Sequence, residues 1–346
     1  MTTSFDDIFG QDAAVDWLKR AYSADRLPHG MVFAGPVGVG KATTARALAS
    51  VFLCEKPNDK SPCGSCESCR AMSATGGAAS HPDFHVITRD LIRYHDKTGK
   101  SKGITLSIDV IRPELVEPAG RKSVMGRGKF FVVEQADLMQ PPAQNALLKT
   151  LEEPAGRTLI VLLTDQPDGL LTTIRSRTQT VRFAPLDTKV VERELRKRNV
   201  DVETARRAAL YTSGSLGLAL RWIEDGVIEP ATELLDQFDA LFAGRAPADL
   251  PGWFKKAAEA YAEKQLARDP LGSKDAATRE GLTLYLMLSA EHVRRRLGTL
   301  EDPDALERAC SAIDSIIRAE GYLDGNVNVS LVFQQLQAAL QRQAVS

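Results

Sequence analysis

Gly35-Pro36-Val37-Gly38-Val39-Gly40-Lys41, residues 35–41, followed by Ala42 where Ser or Thr would complete the motif, is the stretch on which the fold turns. A glycine-rich loop feeding a helix turns backbone N–H groups inward on phosphate oxygens. The lysine adds a mobile positive charge and the helix N-terminus adds its dipole. The flanks fit this reading: residues 31–34 (MVFA) read as a buried strand, and residues 43–53, with apolar positions at helical spacing, as a helix. Strand, loop and helix in that order separate a phosphate-binding loop from a Gly-rich turn in an unrelated α/β fold. Ala42 lacks the hydroxyl that fixes Mg²⁺, and Thr43 lies about 100° further round the helix. Gly35, Gly38, Gly40 and Lys41 are therefore expected to hold nucleotide phosphate, in a chain poorly equipped to split it.

Outward from the loop, the apolar run 129–133 (KFFVV) predicts a second buried strand and leads into Glu134-Gln135-Ala136-Asp137. That is where a phosphate-loop ATPase carries its acidic pair. Glu134 can partly organise a metal, but Gln135 can orient a water without acting as its base. This degenerate pair is a second defect in the same direction. A helix follows over 144–153, stopped by Pro154, then a buried strand over 158–163 ending near Thr164. Arg175-Ser176-Arg177-Thr178 precedes a short strand over 180–183. Strands and helices alternating in this way imply an α/β fold with a parallel sheet covered on both faces.

Cys54, Cys63, Cys66 and Cys69 form a C-x8-C-x2-C-x2-C cluster. Thiolates two residues apart in a tight turn can meet one tetrahedral ion, Gly64 permits the turn, and Pro57, Asn58 and Pro62 keep the segment out of helix. Four thiolates leave no open coordination position, so a structural Zn²⁺ knuckle over 54–69 is expected. A disulfide pair is disfavoured in a reducing compartment, and a redox C-x-x-C would not need four cysteines. Cys310 stands apart on an apolar helical face and is expected in the core. His29, His81, His85 and His95 have no metal spacing and are taken as packing or turn residues.

The chain has 346 residues, enough for two or three domains. Lys and Arg total 44 against 45 Asp and Glu, so no whole-chain field draws it to nucleic acid. No apolar run approaches the ~18–20 residues of a membrane span, and the acidic start MTTSFDDIFGQD is unlike a signal peptide. The cytoplasm is the expected compartment, with no membrane partner.

The run 5–11 (FDDIFGQ), residues 26–30 (RLPHG), the phosphate loop, the four cysteines, His81-Pro82-Asp83, residues 144–154 (QNALLKTLEEP) and residues 174–177 (IRSR) together resemble bacterial DNA polymerase III clamp-loader subunits. The likeness is to the delta-prime type rather than the gamma/tau motor. It is specific to about residue 185 and weaker beyond. It implies an AAA+ nucleotide domain with a zinc module (1–185), a small helical lid (186–245) and an all-α oligomerisation collar (253–346). The implied partners are gamma/tau and delta subunits, and through the assembled ring the sliding clamp and primed DNA. Such a subunit is a component of the DNA polymerase III holoenzyme in DNA replication. Motor subunits of this family carry Thr after the loop lysine and an Asp-Glu pair, so Ala42 and Glu134-Gln135 are departures that a delta-prime subunit would have.

By the same resemblance Arg177 is an arginine finger reaching a neighbour's ATP, with Thr178 replacing the motif's Cys. Read locally, Arg177 is a surface arginine. Thr164 falls at the sensor 1 position, and Gly217 stands where an ATP-contacting arginine of sensor 2 is expected. Pro185 marks a boundary, followed by the basic run Arg193-Glu194-Leu195-Arg196-Lys197-Arg198 on an amphipathic helix. That run is either a solvated face or one that approaches DNA in a ring. Residues 244–252 read as a linker, and 282–296, 306–320 and 330–343 as helices. The leading expectation is a largely non-hydrolysing scaffold, with ATP or ADP in the loop left open. The alternatives are a gamma/tau-like ATPase motor using Thr43 and Glu134, and a zinc-dependent DNA-binding protein, which neutral charge disfavours.

Overall fold

The computed structural model describes residues 3–58, 60–73, 80–95, 105–242, 249–270, 272–323 and 328–345. The chain divides into two compact units, Met1–Asp187 with Ser213–Leu218, and Thr188–Thr212 with Ala219–Ser346.

The first unit is built on β1 (Gly30–Ala34), β2 (Phe84–Ile87), β3 (Lys129–Val133), β4 (Thr158–Thr164) and β5 (Gln179–Arg182). They form a 5-stranded sheet in the order β2-β3-β4-β1-β5, with every neighbouring pair parallel. Alternation along each strand divides the core in two. Phe33, Phe130, Leu159, Val161 and Val181 face helices Asp12–Ser23 and Lys41–Leu53. Val32, Phe131, Ile160 and Leu162 face the helical run 108–119 and helix Pro141–Glu152. Burial on both faces is why these strands read as unbroken apolar runs. This is the expected α/β fold, a parallel sheet covered on both faces with a strand–loop–helix phosphate-binding motif.

Register brings the functional ends level. Ala34 pairs with Thr164, and the Gly35 amide donates to the Thr164 carbonyl at 3.1 Å. The phosphate loop thus leaves the carboxyl edge of β1 between its neighbours β4 and β5, the edge at which parallel sheets place ligands.

The second unit is helical. Helices Leu250–Arg268, Lys274–Leu297, Pro303–Leu323 and Val329–Val345 bury Phe254, Tyr285, Ile316 and Phe333, with the Phe254 and Phe333 rings stacked at 4.2 Å. Helices Thr188–Lys197 and Ile228–Phe242 belong to the same unit. Part of the expected linker, 244–248, lies outside the described residues. Its remaining end is helical, because Asp249 Oδ1 accepts from the Gly252 amide at 3.1 Å and Pro251 sits in the first turn, where a missing N–H costs nothing. Cys310 corrects another expectation: it is exposed. The helix Pro303–Leu323 buries Ala309, Ala312, Ile316 and Ala319, and Cys310 is one residue round from that stripe.

The basic run contains its own counter-charge. Glu194, with a side chain only 4% exposed, meets Lys197 Nζ at 2.7 Å and Arg198 Nη1 at 3.3 Å. These pairs hold its carboxyl below the usual range, the Lys197 hydrogen bond contributing most. Among the described residues no helix is long and apolar enough to cross a membrane.

Candidate functional site

The loop 35–40 takes its shape from glycines, at two of which any side chain would collide with the surrounding chain. A Cβ on Gly35 would lie 2.2 Å from the Phe183 carbonyl, and one on Gly38, at φ +75, 2.2 Å from Ser215 Oγ. Lys41 opens the helix and is only 9% exposed. Its Nζ donates to the Gly35 carbonyl and, at 2.7 Å, to that of Pro36. Burial pulls its pKa below that of an ordinary lysine, against the opposing fields of Asp165 and Asp137.

No hydroxyl of the first helical turn replaces the one missing at Ala42. Thr43 is exposed, and Thr44 Oγ1 donates to the Gly40 carbonyl at 2.9 Å. Glu134 is half-buried at the end of β3, while Gln135 is exposed in the left-handed region at φ 50. Thr164 is buried at the end of β4. Its hydroxyl donates to Asp137 Oδ1 at 2.6 Å and accepts from the Gln166 amide at 2.9 Å. Asp137, two residues beyond Gln135, is thereby engaged through one oxygen. Gly217 donates its amide to the Gly38 carbonyl at 2.9 Å, and a Cβ there would sit 2.9 Å from that oxygen. The position expected to carry an arginine therefore has no room for any side chain without movement.

Arg177 lies on the exposed turn after helix Thr172–Arg175. Buried Gln144 fixes the start of that helix, accepting from the Leu171 amide at 2.7 Å and donating to the Met139 and Gly169 carbonyls. The Arg177 Nε donates to Glu152 Oε1, and Nη1 to the Thr173 carbonyl at 3.1 Å. Its guanidinium is presented at the surface and held in plane from one side.

The four cysteines converge. Sγ separations are 3.9 Å for Cys54–Cys66, 3.9 Å for Cys63–Cys69 and 3.7 Å for Cys54–Cys69, and all four sulfurs lie within 4.8 Å of one another. Sulfurs bound at about 2.3 Å to one tetrahedral ion would be about 3.8 Å apart, whereas a disulfide needs about 2.05 Å. The donor set therefore fits a metal and excludes a paired disulfide. Gly64 turns the chain at φ +74, and the Cys63 and Cys69 amides donate to Cys54 Sγ and Cys66 Sγ. Backbone amides of Ser65 and Cys66 draw the Cys63 thiol down to about 6, while burial pushes Cys54 and Cys69 up. A bound cation would be what ionises the buried pair.

A buried relay ties this knuckle to the phosphate-loop helix. His81 Nδ1 accepts from the Asp83 amide at 3.1 Å, so Nε2 carries the proton and donates to Ser68 Oγ at 3.0 Å. Ser68 in turn donates to the Leu53 carbonyl at 2.8 Å, at the last residue of the helix. Burial keeps His81 neutral, as this arrangement requires.

Residues 10–187 match the family model described as DNA polymerase III, delta subunit. The chain belongs to that family. DNA polymerase III subunit delta' of Bacillus subtilis is 34% identical over 203 residues, 59% of this chain and 56% of the relative. DNA polymerase III subunit gamma/tau of Mycobacterium bovis is 33% identical over 180 residues, 52% of this chain and 28% of the relative. The chain spans little more than half the length of the delta' relatives it matches first. A solved gamma-subunit-related protein of Thermotoga maritima aligns with TM-score 0.43 and 18% identity, over 95% of this chain and 99% of that one.

The DNA polymerase III delta-family match takes in the phosphate loop, the four cysteines, Thr164 and Arg177, and ends at residue 187, before the helical unit. Sequence reasoning singled out those residues but assigned nothing to Gln11, Ser68, Asp137, Glu152 or Ser215. Gln11 stood inside the quoted motif FDDIFGQ, and Ser215 two residues before Gly217, which is the only signal that could have marked them.

Proposed function

We propose that this member of the DNA polymerase III delta family is a delta-prime-like clamp-loader subunit. In this reading it is a largely non-hydrolysing scaffold that lends Arg177 to the ATP of an adjacent gamma/tau subunit while the sliding clamp is loaded on primed DNA. One observation carries it: around Lys41 most of the groups that would organise Mg²⁺ and a water are missing or engaged, Glu134 being the one carboxylate of the acidic pair left in place. Ala42 has no hydroxyl, Gln135 replaces a base, Asp137 is bonded to Thr164 and Gly217 closes on Gly38. Arg177, by contrast, is surface-presented and oriented by Glu152. A guanidinium so held can enter a neighbour's site and balance charge on a transferring γ-phosphate.

In the same reading Gly35, Gly38, Gly40 and Lys41 retain nucleotide phosphate, Thr164 occupies the sensor 1 position, and the cysteines hold Zn²⁺ as a structural knuckle. The segments 186–245 and 253–346 act as lid and collar in a cytoplasmic complex with gamma/tau and delta subunits. The gamma/tau relative favours a second reading, an ATPase motor. Steady-state hydrolysis by the purified chain separates them, since turnover above about 1 per second supports the motor and contradicts the scaffold.

A further inference from the structure

Every backbone carbonyl from Gly35 to Gly40 accepts a hydrogen bond. Lys41 Nζ serves Gly35 and Pro36, Ser215 Oγ serves Val37 at 2.7 Å, and the Gly217 amide serves Gly38 at 2.9 Å. Gln11 Nε2 serves Val39 at 3.2 Å, and Thr44 serves Gly40 through both its amide and its hydroxyl at 2.9 Å. Across a trans peptide the C=O and the following N–H point opposite ways, so a carbonyl fixed toward these donors fixes the next amide away from them. Among the described residues, the amides of Val37, Gly38, Gly40 and Lys41 donate to no protein acceptor. Gln11 is buried and doubly anchored, donating also to the Ala184 carbonyl at 2.7 Å and accepting from its amide at 3.2 Å. Ser215 is buried and also accepts from the Leu218 amide at 3.2 Å.

We infer that Gln11 and Ser215 are positioning residues that hold this cradle in shape, so that it takes the phosphates of a free nucleotide without a divalent cation. The inference rests on the reading above that the site keeps its phosphate donors and has lost its metal ligand. Inward amides and Lys41 attract negative charge, and Mg²⁺ removes charge from the nucleotide while finding no hydroxyl at Ala42. Free nucleotide should therefore bind at least as tightly as its magnesium complex.

Calorimetric titration of the full chain with ADP, once in Mg²⁺ and once in EDTA, tests this without any substitution. The expected result is a Kd that agrees within about threefold, or is lower in EDTA. Binding in Mg²⁺ alone, or none in either buffer at millimolar ADP, overturns it. Ser215→Ala should raise the Kd about 3- to 10-fold at a temperature where both chains are folded, and Ser215→Thr should restore it. A purely structural serine would lower thermal stability and leave that Kd unchanged, which would overturn the positioning role. ADP cannot be consumed here, so the ATPase assay judges the scaffold reading separately.

Discussion

Gly217→Ala should destabilise the first unit, although alanine is ordinarily the better helix residue. Gly217 is the second residue of helix Leu216–Glu224, where propensity alone favours alanine by roughly 0.5–1 kcal/mol. Against this, the added Cβ would stand 2.9 Å from the Gly38 carbonyl oxygen and 3.2 Å from Gly38 Cα, both backbone atoms that cannot rotate aside. Relief requires the helix start to retreat from the loop and lengthen the 2.9 Å bond from the Gly217 amide. Overpacking of this kind costs about 1–3 kcal/mol and a weakened hydrogen bond about 1. The steric side wins by about 1–3 kcal/mol, which for a unit of this size lowers Tm by about 2–10 °C. Differential scanning calorimetry reads the shift, and hydrogen exchange of a peptide spanning 35–41 should show faster exchange. A rise in Tm, as helix propensity alone demands, would refute the close approach of these two backbones. Gly217→Arg, which would supply the arginine expected of a hydrolysing relative, should be destabilised at least as much and gain no ATPase activity.

Metal analysis of the purified chain should find about one Zn²⁺ per molecule, and Cys66→Ser should lose it. The loss should speed hydrogen exchange at Glu67–Met72 and at the end of helix Lys41–Leu53, because Ser68 bonds the Leu53 carbonyl; full metal content in the variant would contradict four-thiolate binding. Glu194→Gln should cost about 1–3 kcal/mol at neutral pH in urea unfolding, since it leaves Lys197 and Arg198 around a neutral buried amide. Because the native pKa of Glu194 is depressed, its contribution is present above the unfolded carboxylate value and is lost as pH falls through the native one. The difference from the parent should accordingly shrink on acidification, and a pH-independent difference would count against the ion pairs. Lys41, with its pKa lowered by burial, should lose charge at a lower pH than a free lysine, so nucleotide affinity should fall earlier on alkaline titration. A binding profile flat to the ordinary lysine range would contradict that burial.

Much of the first unit was legible because its signals are local. The runs 31–34, 129–133 and 158–163 are apolar without interruption, which is how strands covered on both faces must read, and they match β1, β3 and β4 to within a residue. The cysteine spacing sufficed to anticipate four converging sulfurs. What stayed hidden depends on contacts distant in sequence. Ser215 bonds a carbonyl 178 positions away and Gln11 one 28 positions away, so neither brace leaves a periodicity or a spacing to detect. The helix Leu250–Arg268 was obscured by Pro251 and Gly252, which signal a break anywhere except in a first turn. How much of the charge of the run 193–198 is engaged was not legible, because only the fold shows that Glu194 is buried against Lys197 and Arg198.

The central claim is that Arg177 acts on another subunit's nucleotide while this chain's own loop stays silent. Its most direct test is ATPase turnover by a complex of this chain with gamma/tau and delta subunits, comparing the parent with Arg177→Ala in equal amounts of intact complex. The account expects turnover at the adjoining site to fall about 10³-fold with assembly unchanged. Unchanged turnover in a fully assembled Arg177→Ala complex would contradict it.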